Sequence, residues 1–405
     1  MASPTQVTDA VDETAAEPTA DGYGPWPHYA SDEIEAVVEV LRSGKVNQWT
    51  GNRVWQFAAH LERYHQVPHA IPVANGTLAI DLALRAFGIG PGDEVIVTPR
   101  SFVASATTVD LVGATPVFAD VDRDSQGLSV SSVGDRITPR TRAIIAVHLA
   151  GWPVDMPGLM VLAARHGIKV IEDCAQAHGA RIDGRPVGSF GDAAALSFCQ
   201  DKIISTGGEG GATLFQDDAA WQWAWSFKDH GKSKQKIDNA DHPPGFRWLI
   251  DAVGTNYRLT EMQAAIGIRQ YAKLEQWNAL RARNARIWAD ALAPLPLMRI
   301  PLPPAEIKHA WYRFYAFVRP ERLKPGVDRD TLLKELQSQG LPGMVGACPE
   351  IYREQVYAGR YLRPLETAAE LGRTSLVFET HHRLDPVVLE ATAAKVCDVI
   401  RRFTA

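Results

Sequence analysis

Lys169-Val170-Ile171-Glu172-Asp173-Cys174-Ala175-Gln176-Ala177-His178-Gly179-Ala180 is the stretch whose reading decides the fold class. Its first five residues make a short run that ends on two carboxylates, and small residues and a glycine follow at once. Upstream, Glu94 to Thr98, Thr115 to Ala119 and Ala143 to Val147 have the same texture. Near-continuous apolar runs of this length suit strands covered on both faces, and helical stretches between them imply a parallel sheet. The expectation is an α/β fold with a large, mostly parallel sheet flanked by helices. In such sheets ligands bind at the carboxyl ends of the strands, where Asp173 falls.

Outward from this centre the texture changes. After about residue 285 it becomes α+β, with a strand expected over Tyr312 to Val318, which implies a smaller C-terminal domain. The division expected is 1–24 as a flexible tail poor in large apolar groups, 25–280 as the large domain and 281–405 as the small one. A polar, Pro/Gly-punctuated loop is expected over 228–248, and a helix after Leu259-Thr260-Glu261 with Thr260 as its N-cap. In the 405 residues, 46% hydrophobic and 22% charged groups with a formal net charge of −5 describe an ordinary globular chain with no general attraction to nucleic acid or anionic lipid. No run is long and apolar enough for a membrane span, and, with no basic segment followed by an apolar one near residue 1, no secretory signal is expected. Cys174, Cys199, Cys348 and Cys397 are scattered without disulfide or metal-ligand spacing, so no metal and a cytoplasmic location are expected.

Four features carry chemistry. Lys202 follows the strand-like Ala193 to Phe198 and precedes the glycine-rich Gly207-Gly208-Glu209-Gly210-Gly211, so it can be a desolvated amine nucleophilic towards an aldehyde. Asp173 can pair with a pyridinium nitrogen at its strand end. Asn75-Gly76-Thr77 opens a helical run and can hold a phosphate on free backbone amides. Phe102 can stack on a flat ring. Taken singly, each has an ordinary reading as well: a surface lysine, a helix cap, a plain turn, a core aromatic. Glu172 points to the other strand face. His178 reads either as a proton carrier or as a hydrogen-bonded structural histidine.

Together these motifs resemble the DegT/DnrJ/StrS sugar aminotransferases, a family of fold-type I enzymes dependent on pyridoxal 5'-phosphate. The likeness runs from about Trp26 to the C-terminus and rests on Val73–Thr77, Glu172–Ala180, Ser197–Gly211 and Gly254–Thr260. Pro99–Ser105 and Gly44–Gly51 look like family segments too. The resemblance implies Lys202 as the Schiff-base and proton-shuttle lysine, Asp173 on the pyridine nitrogen, Phe102 on the ring and Gln176 beside it. It implies Gly76, Thr77 and Ser197 on the phosphate, joined by Asn256 and Arg258 from the other subunit of a homodimer. It also implies an amino-acid donor, glutamate, a keto-sugar acceptor, and pyridoxamine 5'-phosphate as the carrier between the two half-reactions.

Rival readings are another reaction of the same cofactor, elimination or decarboxylation, and a regulator that keeps the fold. Ser197–Gly211 argues against the first, and Lys202 together with Asp173 against the second. His178, Lys232, Tyr312, His381 and His382 are candidates for the substrate pocket. Lys228, Lys232, Lys234, Lys236 and Arg247 read either as a diphosphate site or as a solvated basic loop. Gly346 to Tyr352 looks like a family element of the substrate side.

Overall fold

The computed structural model describes residues 24–239, 244–361 and 363–405. Residues 1–23 of the expected tail lie outside them. Seven strands form the main sheet: β1 (His69–Val73), β2 (Glu94–Val97), β3 (Thr115–Phe118), β4 (Thr141–Val147), β5 (Lys169–Asp173), β6 (Ala193–Ser197) and β7 (Gly211–Phe215). Their order across the sheet is β1-β7-β6-β5-β4-β2-β3. β7 runs antiparallel to both of its neighbours, and the other pairings are parallel.

The two-sided burial expected from the apolar runs is visible residue by residue. Val95 and Val97 feed one core while Ile96 feeds another; Ala143, Ile145 and Val147 divide from Ile144 and Ala146 in the same way. Side chains alternate across a strand, so a continuous apolar run serves two cores at once. The helix Gly76–Ala86 packs on β6 and β7 from one side, and the helix Arg53–His65 packs on β1 and on the long helix Glu261–Leu292. No helix among the described residues is long and apolar enough to cross a membrane.

The long helix starts where expected. Thr260 Oγ1 accepts from the Gln263 amide and Gln263 Oε1 accepts from the Thr260 amide, a reciprocal cap. With 32 residues it extends roughly 48 Å at 1.5 Å per residue, and its two halves enter different cores. Tyr271, Leu274 and Trp277 pack beneath the main sheet, whereas Trp288, Ala289 and Leu292 pack on a second, three-stranded antiparallel sheet. That sheet is β8 (Met298–Arg299), β9 (Phe314–Val318) and β10 (Ser375–Phe378), with β9 in the middle. The expected boundary between residues 280 and 281 thus falls inside one continuous helix.

Two more segments differ from expectation. β9 begins at Phe314 rather than Tyr312, because Trp311 has φ +51° and turns the chain just before it. The polar loop 228–248 contains a short helix, Lys234–Asp238, capped by Ser233, while 240–243 lie outside the described residues. Past residue 350 the chain returns to the main sheet. The Ile351 amide donates to the Pro99 carbonyl at 2.7 Å, and Tyr352, Tyr357 and Tyr361 set their rings edge-on to Phe118 of β3.

Candidate active site

A cavity of about 870 Å³ opens at the carboxyl ends of β4, β5 and β6, and Tyr312, Arg313, Tyr315 and Met344 to Cys348 close it from the small sheet's side. Gly76, Thr77, Phe102, Asp173, Gln176, Ser197 and Lys202 all line it, and so does Tyr312.

One end is a helix N-terminus. Asn75 caps the helix Gly76–Ala86, its Oδ1 accepting from the Leu78 amide at 3.0 Å. The first amides of a helix have no partner inside it and carry partial positive charge. A Cβ on Gly76 would come within 2.7 Å of Ser197 Cβ, so only glycine lets this helix end approach the end of β6. The result is a cradle of backbone N–H groups beside a hydroxyl, which fits a phosphate.

Asp173 sits deeper in the cavity. Its Oδ2 accepts from Ser105 Oγ at 2.9 Å and its Oδ1 from the Ala175 amide at 3.1 Å. Burial nevertheless pushes its carboxyl above the usual carboxylate range, because two neutral donors do not replace full hydration of a charge. A cationic ring N–H placed against it would restore the balance, so the residues present fit pyridoxal 5'-phosphate at both its phosphate and its ring nitrogen. Phe102, 66% exposed, leaves an aromatic face open at the rim. Gln176 Oε1 accepts from the Ala150 amide at 2.8 Å, which holds this side chain in place.

Lys202 lies in a tight turn that follows β6, its own amide donating to the Cys199 carbonyl at 3.0 Å. Positive φ at Gly207 and Gly208 turns the chain back towards β7. Lys202 Nζ donates to Asp201 Oδ2 at 3.1 Å, and the Tyr312 hydroxyl donates to the same oxygen at 2.5 Å. Burial pushes the Asp201 carboxyl up, but Lys202 and the Tyr312 hydrogen bond outweigh it and hold it below the usual range. The Tyr312 phenol is pushed up by its own burial and stays a donor. Asp201 was not among the residues expected from the sequence. Its position next to the lysine was the available signal, but sequence adjacency does not show where a side chain turns.

Several candidates stand elsewhere. His178 is fully buried behind β6. Its Nε2 donates to the Ser197 carbonyl at 2.8 Å and its Nδ1 accepts from the Tyr271 hydroxyl. With both nitrogens used and burial lowering its pKa to about 3, it is a neutral structural histidine rather than a proton carrier. His382 stacks on Trp277 at 4.1 Å, and His381 is buried beside Glu379; neither lines the cavity. Lys232 also lies away from it, 3.0 Å from Asp229 and over the Trp49 ring. The other basic side chains of that loop are engaged within the chain: Lys228 with Gln48, Lys234 with Asp238, Lys236 with Asp251, and Arg247 with the Lys236 and Asn239 carbonyls. Asn256 and Arg258 are outside the cavity as well. Asn256 is exposed, and Arg258 Nη1 donates to the buried Asp229 at 2.7 Å.

Glu172 faces the opposite side of β5, as alternation requires, and accepts from the amides of Gly188, Phe190 and Gly191 and from His148 Nε2. The His148, Glu172 and Cys174 ligand atoms lie within 4.8 Å of one another. His148 Nδ1 accepts from the Val154 amide, so both ring nitrogens of His148 and both oxygens of Glu172 are already engaged in hydrogen bonds.

The same fold occurs in proteins that are already known. The sequence pattern of the DegT/DnrJ/EryC1/StrS aminotransferase family matches residues 27–401. The chain is 36% identical over 352 residues to a UDP-N-acetyl-3-dehydro-alpha-D-glucosamine 3-aminotransferase of Acidithiobacillus ferrooxidans, covering 87% of this chain and 89% of the relative. It is also 36% identical over 347 residues to a dTDP-3-amino-3,4,6-trideoxy-alpha-D-glucose transaminase of Streptomyces venezuelae, covering 86% of each. The crystal structure of an aminotransferase from Psychrobacter cryohalolentis superposes with a TM-score of 0.92 at 42% identity, covering 94% of this chain and 99% of that one. With the phosphate cradle, the buried carboxylate and the lysine gathered in one cavity, this chain belongs to the DegT/DnrJ/EryC1/StrS aminotransferase family, whose members are fold-type I enzymes dependent on pyridoxal 5'-phosphate.

Proposed function

We propose that this chain moves the amino group of an amino acid, glutamate, onto the keto group of a nucleotide-linked sugar, as one of two identical subunits of a cytoplasmic enzyme. The observation that carries this reading is the convergence of Lys202, Asp173 and the Gly76 helix end on one cavity. The sugar acceptor is supported by two 36%-identical relatives that are named for nucleotide-linked sugars. Four free cysteines support a reducing compartment.

When bound, pyridoxal 5'-phosphate supplies the electron sink that lets a proton leave the carbon bearing the amino group. The chain supplies the rest. The amides of Gly76 and Thr77, with the Ser197 hydroxyl, hold the phosphate. Asp173 keeps the ring nitrogen protonated, since its desolvated carboxylate gains most from a cationic partner. Phe102 would offer its exposed aromatic face to the ring, and Gln176 would stand beside it. Lys202 Nζ would act as the general base and acid that removes and returns the substrate proton in each half-reaction. Asp201, shared with Tyr312, orients that amine. Asn256 and Arg258 of the partner subunit complete the phosphate site.

The test is visible absorbance of the protein with pyridoxal 5'-phosphate before and after excess glutamate. Wild type is expected to show a cofactor band that glutamate bleaches, and Lys202→Ala to show neither that band nor the bleaching. A Lys202→Ala spectrum and response equal to wild type would sink the assignment.

A further inference from the structure

Among the described residues that line the cavity, Arg313 alone carries a guanidinium. Its Cζ lies 4.9 Å from the centre of the Tyr312 ring, and Lys202 Nζ lies 5.3 Å from the same centre. The reactive amine and a second cation thus both stand within 5.3 Å of one ring centre. The carboxylate nearest to Arg313 is Glu379 at 3.5 Å, longer than a charge-assisted hydrogen bond. Glu379 is also 3.5 Å from His381. Asp201 is no substitute, because Lys202 and Tyr312 already occupy it.

Behind Arg313 stands Arg281 of the long helix, 1% exposed. Its Nε and Nη1 are buried without a hydrogen-bond partner. Burial, and then the positive charge of Arg313, lower its pKa to about 9. Two guanidinium groups thus face one loosely held carboxylate at the small-sheet side of the cavity. Buried N–H donors of a cation are costly when unsatisfied, and an anion bound at Arg313, the one of the two that lines the cavity, would offset the excess positive charge of the pair.

We infer that Arg313, backed by Arg281, anchors a carboxylate of the amino-acid donor. The inference rests on the transamination reading above and adds to it the site that selects the donor. An amino acid presents an amine and a carboxylate on one small framework, which matches an amine site and a cation gathered around a single ring. Glu379 holds the guanidinium while the site is empty and yields it to the incoming carboxylate.

The experiment uses protein loaded with pyridoxal 5'-phosphate and the unreactive dicarboxylate glutarate, titrated calorimetrically into wild type, Arg313→Gln and Glu379→Gln. Glucuronate and UDP are titrated in parallel as acceptor-like anions. Arg313→Gln is expected to weaken glutarate at least about tenfold, the scale of a charged hydrogen bond, with cofactor affinity kept. Glu379→Gln is expected to bind glutarate as tightly or more tightly, whereas a merely structural role would weaken both variants. In the glutamate half-reaction Arg313→Gln should raise KM about tenfold or more and change kcat little. Unchanged glutarate affinity in Arg313→Gln would overturn the anchor, as would weakening confined to glucuronate or UDP, which would assign the cation to the acceptor. If Arg313→Gln does not fold, weaker glutarate binding by Glu379→Gln overturns the proposal and tighter binding supports it. A wild type that takes up no cofactor would instead overturn the underlying reading.

Discussion

Asp173 shows how one side chain acquires a role that its residue type does not announce. An aspartate after an apolar strand can cap a helix, and here one of its oxygens does accept from a backbone amide, that of Ala175. What changes its chemistry is burial, which raises its proton affinity despite the Ser105 and Ala175 donors. A carboxyl in that condition binds a cation more strongly than an exposed one does, because water no longer competes. Asp173→Asn keeps the shape and removes the charge. Loss of one partner of a buried ionic pair costs enough to slow the glutamate half-reaction about 10²–10³-fold, with the fold intact by circular dichroism. A single-turnover rate within threefold of wild type would show that Asp173 is only a cap.

At the scale of elements, the turn that carries Lys202 is held from outside by the first described segment of the chain. The Trp26 indole N–H donates to the Lys202 carbonyl at 3.0 Å, and the Tyr29 hydroxyl meets Ser205 Oγ at 2.9 Å and accepts from the Gly207 amide. Trp26 is itself fixed edge-on against Trp277 and His382. His382 thus supports the lysine turn from behind instead of meeting substrate. Trp26→Phe retains most of the packing and loses the hydrogen bond. Pyridoxal 5'-phosphate affinity, measured by fluorescence titration, is expected to fall about fivefold, the equivalent of one neutral hydrogen bond of about 1 kcal/mol. Affinity equal to wild type would mean that the turn holds its shape without the N-terminal segment.

At the scale of the whole molecule, the cavity exists because two cores are joined along one helix. Tyr271 and Trp277 anchor its first half under the main sheet, and Trp288 and Leu292 anchor its second half on the small sheet. Tyr312 and Arg313, just before β9, line the same cavity as Asp173 and Lys202. Asn256 and Arg258 lie outside the cavity of their own chain, which supports a site completed by a second copy. In a C2 dimer each subunit would give and receive the same contact. An equal mixture of Lys202→Ala and Arg258→Ala chains, unfolded and reassembled together, is then expected to recover about a quarter of wild-type activity, since half the dimers are mixed and each has one intact site. No recovery, with mixed dimers verified by mass, would place Arg258 in its own subunit's site.

How far the sequence could be read follows from which interactions are local. The alternation of apolar runs with helices specified a mostly parallel sheet, because a strand buried on both faces has to be apolar throughout. Thr260 capped the long helix as its place before Glu261 predicted, and the strand-end lysine, carboxylate and Asn-Gly-Thr turn, each with an ordinary reading taken singly, stood out as a set. What depends on distant segments could not be read. Asp201 became part of the site through a hydroxyl 111 residues away, and His178 left it because Tyr271 and the Ser197 carbonyl claimed both of its nitrogens. Arg313 and Arg281 gained meaning only once the long helix and the small sheet placed both beside a single carboxylate. Chain neighbours decide which element a residue joins. Burial, charge balance and unsatisfied donors are properties of the assembled core, and they decide what that residue does.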